Sequence, residues 1–335
     1  MRSNAVASCM LLASLFNGLA QPAAAGDVWL SAIDPVVQKE QKHNDTPKDY
    51  MDLFRPDAPW ARAASGLRAF KISTQFGLRS TDDQLRTLID GLKRRHIALA
   101  VELAMLVGTE RCGITVEGYA SPNGVETLAR RINKFGGEID YVAMDEPVWM
   151  GHVAKGVTHP EIRGAVRCED SVADLVDQIV PKVAILREIF PNVQIGDIDP
   201  VHGRYPSEID DLTTFADLFR NKTNIPLSFV HADISWDSNW QHLLRELAER
   251  MHSRGISLGV ICNGDAKELR NEAWIAQALQ RCQTIAADPN IRPDQLIVQS
   301  WYPAPTKMLP ETEPGALTFE ARQVEAIMRG AQVEK

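Results

Sequence analysis

The segment Ile139-Asp140-Tyr141-Val142-Ala143-Met144-Asp145-Glu146-Pro147 runs from apolar residues directly into two adjacent carboxylates and a proline. The apolar part is typical of a buried β-strand. We therefore expect Asp145 and Glu146 to lie where that strand ends and the backbone turns outward. An acidic pair at this place can cap the following helix. It can also supply a general acid whose pKa is raised by apolar walls and neighbouring carboxylates.

The same pattern of a short apolar run followed by an amphipathic stretch recurs along the chain. The apolar runs cover residues 28–33, 70–73, 97–103, 141–144, 193–196, 227–230, 257–262 and 296–300. Between them, apolar residues at spacings of three and four predict helices over residues 82–92, 172–189, 240–251 and 273–285. Strands that alternate with helices predict parallel pairing, because each crossover needs a helix.

Eight such units favour a closed (β/α)8 barrel, an α/β fold in a single domain, over an open doubly wound sheet. The turn after the first predicted strand, Asp34-Pro35-Val36-Val37, lacks the glycine-rich phosphate loop of a dinucleotide-binding fold. This absence also disfavours the open sheet.

The first 25 residues have the layout of a secretory signal, with Arg2, an apolar run over residues 5–19 and a small-residue cleavage site near Ala25. We expect residues 26–335 to form the mature barrel domain, periplasmic or secreted. No later segment is long and apolar enough to predict a membrane span. A net charge of −8, with 44 acidic residues interspersed among 36 basic ones, argues against a nucleic-acid partner.

The mature chain contains four cysteines, which permit two disulfides in an oxidising compartment. We predict a bond between Cys112 and Cys168, because both lie in the long loops after the adjacent strands three and four. Cys262 ends a strand and Cys282 lies within a helix pattern, so we expect both to be buried, unpaired thiols. The spacing of the four is not that of a zinc site.

A barrel brings the carboxyl ends of all eight strands to one rim, where the active sites of barrel enzymes lie. The residues predicted at this rim are Asp34, Glu102, Asp145, Glu146, Asp197, Asp199, His231, Asp233, Asn263, Asp265, Trp301 and Tyr302. Each acid alone could be a loop cap or a solvated charge. Together with tryptophans in the strand-end loops, such as Trp236 and Trp301, they predict carbohydrate chemistry, because an indole ring suits the apolar face of a sugar.

At these positions the chain resembles the (β/α)8 glycoside hydrolases of the clan whose acid/base is the Glu of Asn-Glu-Pro at the end of strand four. Here that strand ends in Asp145-Glu146-Pro147, and strand eight ends in Trp301. The resemblance implies a carbohydrate substrate and Glu146 as the general acid/base. It places Asp145 beside the sugar's 2-substituent and Trp301 as a sugar platform. It implies no cofactor, and we expect no metal.

The chain departs from that clan at strand seven, where the clan keeps its nucleophilic Glu and this chain has Cys262-Asn263-Gly264-Asp265. Asp265 could replace the nucleophile, or the partner carboxylate could be Asp233, Glu102 or Asp199. Other barrel glycosidases pair acids on strands four and six, which would make Asp145 and Asp233 the pair. We place Asp233 first, because His231, Trp236 and Trp240 lie near it in sequence. The expected substrate contacts are Asp34, Glu102, Asp199, His231, Trp236, Asn263, Trp301 and Tyr302.

The leading hypothesis is therefore an exported glycosidase that cleaves a polysaccharide or oligosaccharide. The first alternative is a barrel that binds a glycan without cleaving it, since the strand-seven Glu is missing. The second is a metal-dependent hydrolase in which Asp34, Asp199, His231 and Asp233 converge on a divalent ion. The sequence lacks the His-x-His and His-Glu-x-x-His patterns that would favour this last alternative.

Overall fold

The computed structural model describes residues 26–41, 47–114, 116–152, 168–301 and 303–331. Eight parallel strands form a closed barrel, in which each strand pairs with the next and the last pairs with the first. The strands are β1 (Asp27–Ala32), β2 (Leu67–Ser73), β3 (Ala98–Leu103), β4 (Tyr141–Asp145), β5 (Gln194–Val201), β6 (Phe229–Ile234), β7 (Ser257–Cys262) and β8 (Gln295–Ser300). The predicted (β/α)8 barrel is confirmed, and every predicted strand overlaps one of the eight.

Helices surround the barrel. They are α1 (Pro35–Gln41), α2 (Ala61–Gly66), α3 (Thr74–Arg79), α4 (Asp82–Arg95), α5 (Gly124–Lys134), α6 (Pro147–Gly151), α7 (Val172–Ile189), α8 (Glu208–Thr223), α9 (Trp240–His252), α10 (Asn271–Ala286) and α11 (Leu317–Met328). All four predicted helices are present, and α7 has the predicted bounds. Both α4 and α7 begin with a capping box, at Thr81 and Ser171, which fixes where these helices start. Within the described ranges, no helix is long and apolar enough to cross a membrane.

Two apolar cores hold the barrel together. The larger core lies between the strands and the helices, and the smaller one fills the barrel interior. The interior core consists of Trp29, Ala69, Ala100, Tyr141, Ala143, Ile198, Phe229, Ile261 and Ile297. Alanines on β2, β3 and β4 leave room for the indole of Trp29, whose ring centroid lies 4.8 Å from that of Tyr141 and 5.1 Å from that of Phe229.

The structure contains two disulfides. Cys112 and Cys168 are bonded, with a Cα–Cα distance of 5.0 Å, as predicted from the sequence. The prediction that Cys262 and Cys282 are unpaired is wrong, because they form the second bond, with a Cα–Cα distance of 5.8 Å. Both residues are fully buried in the outer core, where α10 packs against β7. Burial alone therefore could not distinguish a thiol from a disulfide here.

Two predictions fall outside the described residues. The predicted signal peptide, residues 1–25, is one of them, and the rim residue Tyr302 is the other.

Candidate active site

A cavity of about 910 Å³ opens at the carboxyl ends of the barrel strands. Its wall contains residues from the ends of several strands and from the loop between β3 and α5. Six of the residues predicted from the sequence line it, namely Asp34, Glu102, Asp145, Glu146, Asp233 and Trp301. The structure therefore brings half of the predicted rim into one site.

Glu146 lies immediately after β4 in an unusual backbone conformation. Its φ of 47° is in the left-handed region, and its amide donates a hydrogen bond to the carbonyl of Ile198 at 3.0 Å. The Glu146 side chain makes no capping bond to α6. Instead, the amides of Val148 and Trp149 donate to the carboxylate of Asp199, at 3.2 and 2.7 Å. The capping function at this turn belongs to Asp199, and the Glu146 side chain lines the cavity.

Burial raises the pKa of three carboxyl groups in the cavity. The pKa of Glu146 lies well above its ordinary value, because the group is desolvated and because Glu117, Asp145 and Asp233 repel its charged form. The pKa of Asp145 is raised well above its ordinary value by burial, and further by Glu117 and Glu102. Burial and then Glu102 raise the pKa of Asp233 to about 7. These groups can carry a proton at a pH where exposed carboxylates are ionised.

Glu102, at the end of β3, is bound in a different way. Its Oε2 forms an ion pair with Nζ of Lys71, whose side chain is completely buried. The same oxygen accepts a hydrogen bond from Nε2 of Gln299 at 3.1 Å. Lys71 on β2 and Gln299 on β8 were not predicted as site residues. Each is a polar residue inside a predicted apolar strand, a signal that its side chain has a buried partner but not which partner.

Glu117 is a further cavity residue that the sequence analysis missed. It lies in the loop between β3 and α5, beside Gly118, whose amide donates to the Asp145 carboxylate. A two-stranded sheet, Leu106–Val107 with Tyr119–Ala120, and the Cys112–Cys168 disulfide hold this loop. The predicted disulfide was the available signal, because it ties this acidic loop to the segment after strand four.

Asp34 combines two functions. Its Oδ1 accepts hydrogen bonds from the amides of Val36 and Val37, at 2.8 and 3.0 Å, so it caps α1. Its Oδ2 accepts a hydrogen bond from the hydroxyl of Ser73 at 2.5 Å, and the residue also lines the cavity.

Two predicted substrate contacts lie elsewhere. Asp199 is a buried cap of α6 and does not line the cavity. Its pKa is raised to about 7 by burial, and Asp197 lies beside it. His231 is fully buried in the barrel interior, where Nε2 is 2.6 Å from Oε1 of Gln295 and the ring packs against Trp29. Burial lowers the pKa of His231 to about 3, which keeps the ring neutral.

The residues after β6 and β7 are also outside the cavity. Nε1 of Trp236 donates to Oδ1 of Asn263 at 2.5 Å, and the indole packs on Trp240 and under the guanidinium of Arg281. Asp265 is exposed and accepts a hydrogen bond from the amide of Lys267 at 2.8 Å. The expected sugar contacts of Trp236 and Asn263 therefore do not agree with their positions, and Asp265 is not placed to replace the strand-seven nucleophile.

The proposed metal ligands do not converge. Asp34 caps α1, Asp199 caps α6, and His231 is bonded inside the barrel. Of these four residues, only Asp34 and Asp233 line the cavity. In the part of the chain that the structure describes, no group of three His, Cys, Asp or Glu side chains is arranged to hold a metal ion.

Comparison with protein-family models and with curated proteins gives no match. Solved structures of similar fold include the catalytic core of xylanase A, with 12% sequence identity, 90% of this chain and 98% of that chain covered, and a TM-score of 0.51. Native xylanase 10B from Thermotoga maritima has 11% identity, coverage of 90% and 95%, and a TM-score of 0.51. The Ignisphaera aggregans GH53 catalytic domain has 8% identity, coverage of 82% and 84%, and a TM-score of 0.51. These likenesses show that the chain shares its (β/α)8-barrel fold with solved structures of glycoside hydrolases.

Proposed function

We propose that this protein is an exported glycoside hydrolase that cleaves a polysaccharide or oligosaccharide, with Glu146 as its general acid. The observation that carries the proposal is the half-buried carboxyl group of Glu146, which lines the cavity at the end of β4. Burial and the surrounding acids favour its protonated form, and it lies in a cavity at the barrel rim.

Hydrolysis of a glycosidic bond needs a proton for the leaving oxygen and a second carboxylate on the other side of the bond. Glu146 supplies the proton and later removes one from the attacking water. Asp145 and Asp233 complete the proposed catalytic group. With a pKa of about 7, Asp233 can exchange a proton with the substrate or with water near neutral pH.

The shape of the cavity supports a carbohydrate substrate. Its volume of about 910 Å³ lies near the upper end of ordinary ligand pockets, roughly 300–1,000 Å³. Trp301 is partly buried on its wall and can present an apolar face to a sugar ring. Because solved structures of similar fold are named as xylanases, xylan is the first substrate to test.

Two features support export. The sequence begins with a signal-like segment, and the structure contains two disulfides, which persist in oxidising compartments.

The test uses the purified mature protein, residues 26–335, on a panel of polysaccharides and oligosaccharides, with release of reducing ends as the readout. We expect turnover by the wild type and a fall in kcat by a factor of roughly 10² to 10⁴ in Glu146→Gln. The control is Glu249→Gln, which makes the same chemical change at an exposed position of α9 and should leave kcat unchanged. Full activity of Glu146→Gln would overturn the assignment.

One observation favours a second candidate function, a barrel that binds a glycan without cleaving it. After β7, Asn263 is bonded to Trp236 and Asp265 is exposed outside the cavity. Saturable binding of a polysaccharide by the wild type, without release of reducing ends, would favour this candidate.

A further inference from the structure

Lys71 carries a charge in a place where charges are costly. Its side chain is 0% exposed, on β2 in the barrel interior. A buried ammonium group is costly unless it is paired with an anion. The anion here is Glu102, which binds Lys71 through Oε2. Lys71 therefore supplies Glu102 with a counter-ion, whereas burial raises the pKa of the neighbouring Asp145 and Asp233.

The two oxygens of Glu102 are used differently. Both Lys71 and Gln299 bind Oε2. Within the described residues, Oε1 accepts no hydrogen bond from any protein donor, and the side chain is 20% exposed, toward the cavity that it lines. One oxygen thus anchors the carboxylate, and the other is left without a protein donor from the described part of the chain, in a residue that lines the cavity.

Glu102 also lies next to the strand that carries Glu146. β3 and β4 are adjacent, and Glu102 is paired in register with Ala143, three residues before Glu146. A substrate in the cavity would therefore meet the Glu102 carboxylate from β3 and the Glu146 carboxyl group from the end of β4.

We infer that Glu102 is the nucleophile that works with Glu146, and that Lys71 is the positioning residue that holds its carboxylate through Oε2. This inference rests on the proposed glycosidase function. Oε1 attacks the anomeric carbon and forms a C–O bond while the bond to the leaving oxygen breaks and Glu146 protonates that oxygen. Water then attacks the same carbon, Glu146 takes a proton from the water, and the Glu102 carboxylate leaves unchanged.

The first experiment compares Glu102→Gln and Glu102→Ala with the wild type on the substrate found in the panel. We expect kcat to fall roughly 10³-fold or more in both, with an unchanged circular dichroism spectrum. The Tm should fall, because each variant leaves Lys71 buried without its counter-ion. Azide, a small anionic nucleophile, should restore turnover of an activated glycoside by Glu102→Ala and yield a glycosyl azide. The wild type should release product with retained anomeric configuration, by nuclear magnetic resonance. Rescue of Asp233→Ala or Glu117→Ala instead, or an inverted product, would overturn the inference.

The second experiment tests Lys71. Lys71 holds Glu102 through Oε2, so Lys71→Met should lower kcat with little change in KM, because the nucleophile loses its anchor. Lys71→Arg keeps the charge and should restore most of the wild-type kcat. An unchanged kcat in a folded Lys71→Met would contradict the positioning role.

The two proposals fail in different ways. If no glycoside is hydrolysed, the proposed function fails, and the inference fails with it. If the wild type is active, Glu146→Gln is impaired and Glu102→Gln is not, only the inference about Glu102 is lost.

Discussion

Gly118 occupies a position where a side chain would collide with the site. Its φ is +77°, and a Cβ built there would lie 2.6 Å from the backbone oxygen of Asp145. We predict that Gly118→Ala displaces the loop that carries Glu117. Its kcat should therefore be lower than that of a variant with the same loss of stability elsewhere in the protein. The matched control is Gly255→Ala, where φ is +70° but nothing lies within 4 Å. Both variants share the conformational cost of about 1–2 kcal/mol, so equal kcat values would contradict the prediction. Melting curves and turnover check it.

Trp301 contacts both the interior core and the cavity, and its two possible functions can be separated. We predict that Trp301→Ala weakens glycan binding with the fold intact, because part of the indole faces the cavity. If the indole served only to fill the core, Trp301→Ala would instead lower the free energy of unfolding by roughly 3–5 kcal/mol. Trp236→Ala is the control, since Trp236 is half-buried but outside the cavity. An unchanged KM with a sharply lower Tm in Trp301→Ala would reject the platform.

At the scale of residues, the ends of the strands could be predicted from the sequence, but the direction in which each side chain points could not. The strands are buried on both faces, so their hydrophobic pattern does not alternate and cannot show which residues point inward. Asp199 lies on the outer face of β5 as a helix cap, and His231 lies deep inside the barrel. Lys71 and Gln299 were overlooked because nothing in a single strand indicates that its polar residue meets a carboxylate from another strand.

Among the elements, α11 contains an acid in an unfavourable environment. Glu320 is fully buried, and neither carboxylate oxygen has a hydrogen-bond partner among the described residues. Burial raises its pKa well above the ordinary value. The folded protein therefore binds this proton more tightly than the unfolded chain, so stability is greatest below the unfolded pKa and falls as pH rises toward the folded one.

We predict that Glu320→Gln removes this pH dependence and raises the free energy of unfolding at pH 8 relative to wild type. Each unit of pKa difference corresponds to about 1.4 kcal/mol. Urea unfolding from pH 5 to pH 9 measures the effect, and Glu249→Gln serves as an exposed control. Parallel stability curves for wild type and Glu320→Gln would show that the buried acid has no such effect.

The elements themselves were largely predictable. Periodicity and caps gave the bounds of α7 and the start of α4, because long amphipathic helices carry a repeated signal. The short sheet of Leu106–Val107 and Tyr119–Ala120 was not predicted, since two-residue strands have no pattern of their own. The Cys262–Cys282 bond depends on how α10 packs against β7, which is a tertiary property.

For the whole molecule, the count of eight strand and helix units was enough to predict the closed barrel. The Cys112–Cys168 bond adds a long-range link, with a sequence separation of 56 residues. We predict that the double variant Cys112→Ser/Cys168→Ser loses about 2–4 kcal/mol of stability. It should also lose activity at temperatures where it is still folded, because the loop that carries Glu117 is no longer anchored. Calorimetry and turnover test this, and a Tm equal to that of the wild type would contradict it.

The left-handed backbone of Glu146 has an implication for evolution and for practical work. A non-glycine residue with φ of 47° costs about 1–2 kcal/mol, and this one also buries an acid among other acids. Stability alone would favour Asn or Gly at this position. Under the proposed function, Glu146 supplies an acid at a cost in stability. Glu146→Asn should then give an inactive and more stable protein that holds an intact glycan in the cavity.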